Sequence, residues 1–307
     1  MEQNRTFLRM PLGYGPMPGP RQTVKGVAHD GWDQSSVRTA TITFQAPKNQ
    51  LSSFLPHPCF HIDNGSADDD LATASFTFTE LHNLPWLAGR GYNLSGLYIH
   101  DVVCRGADET VGGKYLSVLF ENRADPIVSG REELGYAKVF ASLDAVQDAG
   151  DGVDTFAARI GWEGAVFGDI KLTGLSDVPP RIHANAETAA AATAGWPSSS
   201  SSSSSVPQGV LHYKYIPRTG CPGEADVEYP TFCAAPPQSQ PTSVGDKVLV
   251  AKHASLSFRA LGFADLPTLH HIAAKLADID IRAIVDARIV ESRGATDLRD
   301  QRAIRLG

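Results

Sequence analysis

Alternation, far more than helical periodicity, governs this sequence. From Arg38 to Phe44 (Arg-Thr-Ala-Thr-Ile-Thr-Phe) threonines interleave with other residues, and from Ser75 to Leu81 the pair Phe76 and Phe78 alternates with Thr77 and Thr79. A two-residue period puts successive side chains on opposite faces of a strand, so each segment reads as a half-buried strand. Gly96 to Cys104, Lys114 to Glu121, Leu134 to Leu143, Val153 to Trp162 and Ala165 to Leu172 continue the series, and Gly209 to Ile216, Lys247 to Leu261 and Ile279 to Glu291 extend it. Strands at this frequency, with few helical patterns, restrict the chain to a mostly β (α+β) sandwich or barrel with a few peripheral helices. Two helices are predicted. A short one from Lys48 to Leu55 is stopped by Pro56 and Pro58. A later one has Asp265 as N-cap, Pro267 in its first turn, and Leu269, Ile272, Ala273 and Leu276 at helical spacing.

Residues 1–30 are rich in Gly and Pro and predict an extended arm lying on the body or on a partner subunit. The strand pattern over 31–292 predicts one domain. Within it, Ala189 to Ser205 is an alanine run followed by an unbroken serine tract, which buries too little apolar area to offset its ordering entropy. Residues 188–208 therefore read as an inserted surface loop, and 293–307 as a charged tail that frays. A hydrophobic content of 42% and a charged content of 20% fit a globular protein with a sizeable core. The net charge of -7 argues against a nucleic-acid or anionic-membrane partner. No apolar run approaches the ~20 residues of a membrane helix. Met1 to Pro20 holds no apolar signal core, and Cys59, Cys104, Cys221 and Cys233 have no CxxC spacing. The expectation is a cytoplasmic protein with reduced thiols.

The stretch most suggestive of chemistry runs from Gly130 to Ala141. Read as a strand, it sets Lys138 between Tyr136 and Phe140 on one face, with no acidic neighbour at i±2. Two readings stand. On an interior face the ammonium is desolvated, its pKa falls, and the neutral amine becomes a nucleophile. On an outer face the lysine lies along the rings with its head in water.

The same residues resemble a known family. Gly130-Arg131-Glu132 followed by Gly135-Tyr136-Ala137-Lys138 looks like the Gly-Arg-Glu…Tyr-Pro-Lys-Lys segment of acetoacetate decarboxylases, whose first lysine forms a Schiff base with the substrate ketone. Lys138 falls on that lysine. Ala137 replaces the proline and Val139 replaces the second lysine. That family is itself the standard example of a lysine activated by a neighbouring cation. With Val139 in place of the cation, the resemblance implies activation by desolvation.

Weaker similarity covers most of the chain. Arg38, followed by Leu55-Pro56-His57-Pro58, lies where the family has an active-site arginine. Tyr115 to Asn122 matches the strand entering the lysine motif, and Leu211 to Pro217 a later strand. The family's two pocket glutamates fall on Thr77 and Asn93, with Glu80 close by.

The resemblance implies an acetoacetate decarboxylase-like β-barrel or cone and a homo-oligomer without cofactor. It implies a lyase that decarboxylates a small β-keto acid, or a polyketide-like substrate of secondary metabolism, through a lysine imine and enamine. Aldolase, dehydratase or cyclase chemistry at the same lysine is an alternative, as is a non-catalytic binding protein with the same cavity. Lys138, Arg38 and Glu132 are the candidate catalytic residues. Tyr136, Phe140, Tyr92, Asn93, Phe78 and Leu119 are the candidate substrate contacts. Glu132 has a second reading, as half of a pair with Arg131 that braces the turn. His57-x-Cys59-x-His61 has ligand-like spacing, but the prolines around it and the lack of a partner site argue against a metal.

Overall fold

The computed structural model describes residues 6–64, 70–146, 154–178, 206–234, 244–295 and 301–307. In chain order its strands begin with β1 (Ser36–Pro47), β2 (Phe60–Ile62), β3 (Leu71–Leu84), β4 (Arg90–Arg105) and β5 (Thr110–Glu121). There follow β6 (Lys138–Phe140), β7 (Ser142–Val146), β8 (Thr155–Trp162), β9 (Ala165–Thr173) and β10 (Ser176–Asp177). The last are β11 (Gln208–Pro217), β12 (Ala225–Ala234), β13 (Val244–Val250), β14 (His253–Phe258), β15 (Ala283–Arg293) and β16 (Arg302–Ala303). The α-helices are α1 (Lys48–Ser52), α2 (Ala124–Ser129) and α3 (His270–Ala277).

The larger sheet runs β10-β13-β15-β1-β3-β4-β5-β11-β12-β16, with β2 added on β4 and β6 on β5. The smaller one runs β14-β9-β8-β7. Period-two patterning separates the faces of the large sheet. One face carries Ala40, Ile42, Phe44, Phe76, Phe78, Leu97, Ile99 and Ile289, all buried, and packs on the small sheet and α3. Edge-on aromatic pairs join the layers: Phe76 with Phe258 at 4.9 Å and Phe120 with Phe167 at 5.5 Å between ring centroids.

The opposite face is polar where the first is apolar. It bears Thr39 and Thr79, whose hydroxyls lie 2.9 Å apart, then Ser75, Thr77, Tyr98, His100, Lys114 and Arg288. Lys114 on β5 and Arg288 on β15 are four strand steps apart, ~19 Å in a flat sheet.

Several expectations are corrected. Leu134 to Leu143 is not one strand. Helix α2 runs into a π-turn over Gly130–Leu134, Gly135 takes a positive φ of 81°, and strand geometry resumes only at Lys138. The alternation that set Tyr136, Lys138 and Phe140 on one face does not operate there. Lys247 to Leu261 divides between β13 in the large sheet and β14 in the small one. Asp265 and Pro267 lie in turns before α3, whose N-cap is Leu269. The strand Ala225–Ala234 carried no signal that was recognised. The tail does not fray throughout: Ile304 is fully buried and its amide donates to Pro230 O at 2.8 Å. The serine tract lies outside the described residues. Among the described residues, no helix is long and apolar enough to cross a membrane.

Candidate active site

Lys138 opens β6, which pairs in parallel with the end of β5 so that Lys138 lies opposite Leu119. Its side chain is 8% exposed. Nζ lies 2.8 Å from Glu121 Oε1 and donates to Pro126 O at 3.0 Å. A Cβ on Gly130 would fall 2.5 Å from Lys138 Cδ and 2.7 Å from Nζ, so the missing side chain at Gly130 is what lets the lysine pass. The sequence signal for a glycine at this point is thus steric; its φ of -70° is ordinary.

Glu121 is the last residue of β5 and has no exposed surface. Burial pushes its carboxyl pKa up and the Lys138 cation pulls it back. Burial likewise pushes the Lys138 amine down, Glu121 opposes the shift, and the Arg21 cation adds to the lowering. Each partner's charged form is destabilised by burial and restored by the other. The ion pair and the neutral amine–carboxylic acid pair are thereby brought closer in energy. That is the condition under which one proton can be passed between them.

Arg21 comes from the N-terminal segment. It forms a buried ion pair through Nε with Glu133 Oε2 and donates from Nη2 to Ser129 O at 3.3 Å. Arg9 Nε lies 2.6 Å from the other oxygen of Glu133. Two arm arginines therefore clamp the turn that leads into Lys138. Arg21 also supplies a nearby cation on a chain whose second motif lysine is replaced by Val139.

Tyr136 stacks on His212, with 3.7 Å between ring centroids, and Lys138 Nζ sits 5.5 Å from the Tyr136 ring. The Tyr136 hydroxyl bonds the Cys233 thiol, and burial pushes its pKa well up. His212 is fully buried, and among the described residues neither ring nitrogen has a hydrogen-bond partner. Burial and the Lys138 cation hold its pKa well below the usual histidine range, so the ring is neutral. Tyr92 retains accessible surface although burial, followed by the Glu121 carboxylate, raises its pKa. Tyr98 and Leu119 complete this side, with Leu116, Val210 and Cys233 packed between them.

Of the sequence candidates, Lys138, Tyr136, Tyr92 and Leu119 come together here. Four others do not. Arg38 points to the opposite face, where it pairs with Glu80 at 3.4 Å and Glu291 at 3.2 Å and covers the Phe156 ring at 5.2 Å. Phe78 is in the core between the sheets, and Asn93 donates to Leu143 O at 3.0 Å from that same side. Phe140 is 48% exposed, because β6 is too short and too close to the sheet edge to bury a second ring. Glu132 takes the Lys214 ammonium on its backbone oxygen at 2.5 Å, and its carboxylate lies in the field of Lys214. Arg131 donates to Lys138 O at 3.0 Å, bracing the turn.

Sequence reasoning missed Glu121, His212 and Arg21. Glu121 had a signal: a carboxylate ending a strand that is otherwise apolar, in the segment directly before the lysine motif. His57 and Cys59 meet each other: His57 stacks on Tyr213 at 5.6 Å, and the Cys59 thiol bonds both Cys104 and His57.

Comparison with known proteins follows this geometry. A solved structure described as an acetoacetate decarboxylase superposes with a TM-score of 0.55 at 13% identity, covering 89% of each chain. Acetoacetate decarboxylase from Legionella pneumophila gives 0.54 at 13% identity, covering 88% of this chain and 87% of that one. The enduracididine biosynthesis enzyme MppR, complexed with the condensation product of pyruvate and imidazole 4-carboxaldehyde, gives 0.50 at 12% identity, covering 88% of each. These likenesses establish the fold. No curated protein matches the sequence. The family model for acetoacetate decarboxylase matches residues 10–299, nearly the whole chain, and the chain belongs to that family.

Proposed function

We propose that this protein is a lysine-dependent enzyme that forms a Schiff base between Lys138 and a ketone, and that it cleaves a carboxylate from a β-keto acid. The observation that carries the reading is the buried Lys138–Glu121 pair, with Nζ 2.8 Å from Oε1. A free amine adds to the ketone carbon only when unprotonated, and burial favours that form. When the proton resides on Glu121, the acid stands beside the carbonyl oxygen of an incoming ketone. It can protonate the carbinolamine oxygen, which leaves as water. The resulting iminium cation then takes the place of the ammonium beside the Glu121 carboxylate. The C–C bond to the carboxylate breaks, its electron pair moves onto the iminium nitrogen, and carbon dioxide departs. Protonation of the enamine carbon and hydrolysis return the amine.

Glu121 is the proton carrier in this scheme, Tyr136 and Leu119 flank the lysine, and Arg21 helps hold the amine neutral. Glu132, named from the motif, has no part in it. The substrate class is a small keto acid, and the site is expected to work without cofactor. Aldol chemistry at the same iminium is the second reading. It draws on MppR, a relative in fold that holds a pyruvate condensation product.

The test is borohydride reduction during turnover of acetoacetate, with Lys138→Met and Glu121→Gln alongside wild type. A reduced adduct on Lys138 with release of carbon dioxide supports decarboxylation. An adduct formed by pyruvate and an aldehyde, without carbon dioxide, supports the aldol reading. No adduct with either rejects the imine.

A further inference from the structure

We infer that Cys59 and Cys104 form a peroxide-reactive dithiol, separate from the lysine site, in which Cys59 is the attacking thiol, His57 its base and Cys104 the partner that closes a disulfide. The three come together where the chain enters β2. His57 to Phe60 is a turn closed by Phe60 N donating to His57 O at 3.1 Å, and inside it Cys59 N donates to His57 Nδ1 at 3.1 Å. The His57 ring is held in place by its stack on Tyr213. Strand β2 then pairs with β4, with Phe60 opposite Cys104, and Cys59 O accepts from Arg105 N at 3.0 Å. The two cysteines are thus one residue out of register across an antiparallel pair. With ~4.8 Å between strands and ~3.4 Å along them, their Cα atoms lie roughly 6 Å apart, within the ~4.4–6.8 Å that a disulfide spans. In a regular strand such residues face opposite sides. Cys59 still belongs to the turn, however, and its thiol reaches both the Cys104 thiol and the His57 ring.

The surroundings give the two thiols different roles. The hydrogen bond with Cys104 lowers the Cys59 pKa to about 7, burial opposes the shift, and His57 adds to it. Cys104 moves the other way, pushed up by the same hydrogen bond and by burial, so it keeps its proton. At neutral pH Cys59 therefore has a large thiolate fraction, with Cys104 as donor to it. A groove of about 450 Å³ lies alongside, lined by Leu55, Pro56, His57, Pro58, Phe60 and His61, so both chain neighbours of Cys59 form its wall. Cys59 itself keeps 8% of its surface and Cys104 none, so a peroxide, ROOH, meets Cys59 first. The Cys59 thiolate attacks one peroxide oxygen, the O–O bond breaks, and the departing alkoxide takes the proton that His57 received from the thiol. Cys59 is left as a sulfenic acid. The Cys104 sulfur then displaces hydroxide from it, its own proton leaves with that hydroxide as water, and the disulfide forms. Two electrons pass from the two thiols to the peroxide, which ends as ROH and water. Nothing in the proposed lysine chemistry uses these residues.

Limited treatment of the full chain with hydrogen peroxide tests this, followed by blocking of free thiols with iodoacetamide and peptide mapping. Expected is a Cys59–Cys104 cross-linked peptide that dithiothreitol removes. It forms ~10-fold or more faster than Cys221 is oxidised, although Cys221 is the more exposed. In Cys104→Ser the sulfenic acid on Cys59 persists and is captured by dimedone. His57→Phe keeps an aromatic ring against Tyr213 and slows the oxidation of Cys59 ~10-fold or more. The wild-type rate rises with pH through about 7, where Cys59 loses its proton. Reaction of 2,4-pentanedione at Lys138 stays within 2-fold of wild type in both variants, which confirms that they are folded and separates the two sites. A wild-type chain that forms no Cys59–Cys104 cross-link, or a His57→Phe chain oxidised at Cys59 as fast as wild type, overturns the inference.

Discussion

Replacing Gly130 by alanine probes the geometry of the lysine more finely than replacing the lysine itself. The backbone at Gly130 is helical, with φ -70° and ψ -38°, so alanine brings no conformational penalty. What it brings is a methyl group 2.5 Å from Lys138 Cδ and 2.7 Å from Nζ, where ordinary contact begins at 3.4 Å. The side chain must shift by about 1 Å. It has little room, since Nζ is held between Glu121 Oε1 at 2.8 Å and Pro126 O at 3.0 Å. A displacement of ~1 Å at a reacting group costs on the order of 10²-fold in rate, equivalent to ~2.7 kcal/mol of barrier. Overpacking costs stability ~1–3 kcal/mol, so the variant still folds. The assay is enaminone formation with 2,4-pentanedione, followed by absorbance and normalised to protein that melts cooperatively. Expected is a loss of about 10²-fold with a lowered Tm. A folded variant reacting within 3-fold of wild type would refute the steric argument.

Four further outcomes are expected. Glu121→Gln removes the group that raises the lysine pKa, so enaminone formation at acidic pH speeds up while acetoacetate turnover falls by ~10²-fold or more; loss of both would show Glu121 to be structural. His212→Phe replaces a ring whose two nitrogens are buried without partners among the described residues, so Tm rises, by roughly 1–3 kcal/mol of stability; a lower Tm would contradict this. Arg21→Gln removes a cation that lowers the Lys138 pKa and half of the clamp on Glu133. The pH midpoint of amine reactivity moves up, and an unchanged midpoint would remove Arg21 from the account. Lys114 has a folded-state pKa of about 8, below its ordinary 10.5. The unfolded chain therefore binds more protons between those values, and stability rises with pH across that window by ~1–3 kcal/mol. The rise should be absent from Lys114→Met, and equal slopes would contradict the assignment.

The strands were legible because threonine–aromatic alternation survives wherever one face is apolar and the other polar, as in Ser75 to Leu81. The lysine was legible through the Gly-Arg-Glu and Gly-Tyr-Ala-Lys signature. Its surroundings were not. Arg38 heads a strand and aligns with a functional arginine, but strand parity sends it to the face away from Lys138. Phe140 alternates correctly with Lys138, yet the preceding π-turn leaves only Lys138–Phe140 as strand, and the ring stays in solvent. Glu121 and Arg21 reach the lysine through a parallel strand pairing and a buried ion pair spanning 112 residues. Neither contact has a local pattern to announce it. Lys247 to Leu261 reads as one strand because nothing local marks the switch between sheets.

The most direct test of the central claim is peptide mapping after borohydride reduction in the presence of acetoacetate or 2,4-pentanedione. A single reduced adduct on the peptide containing Lys138, abolished in Lys138→Met together with turnover, is the expected result. An adduct confined to another lysine, or turnover that survives Lys138→Met, would contradict it.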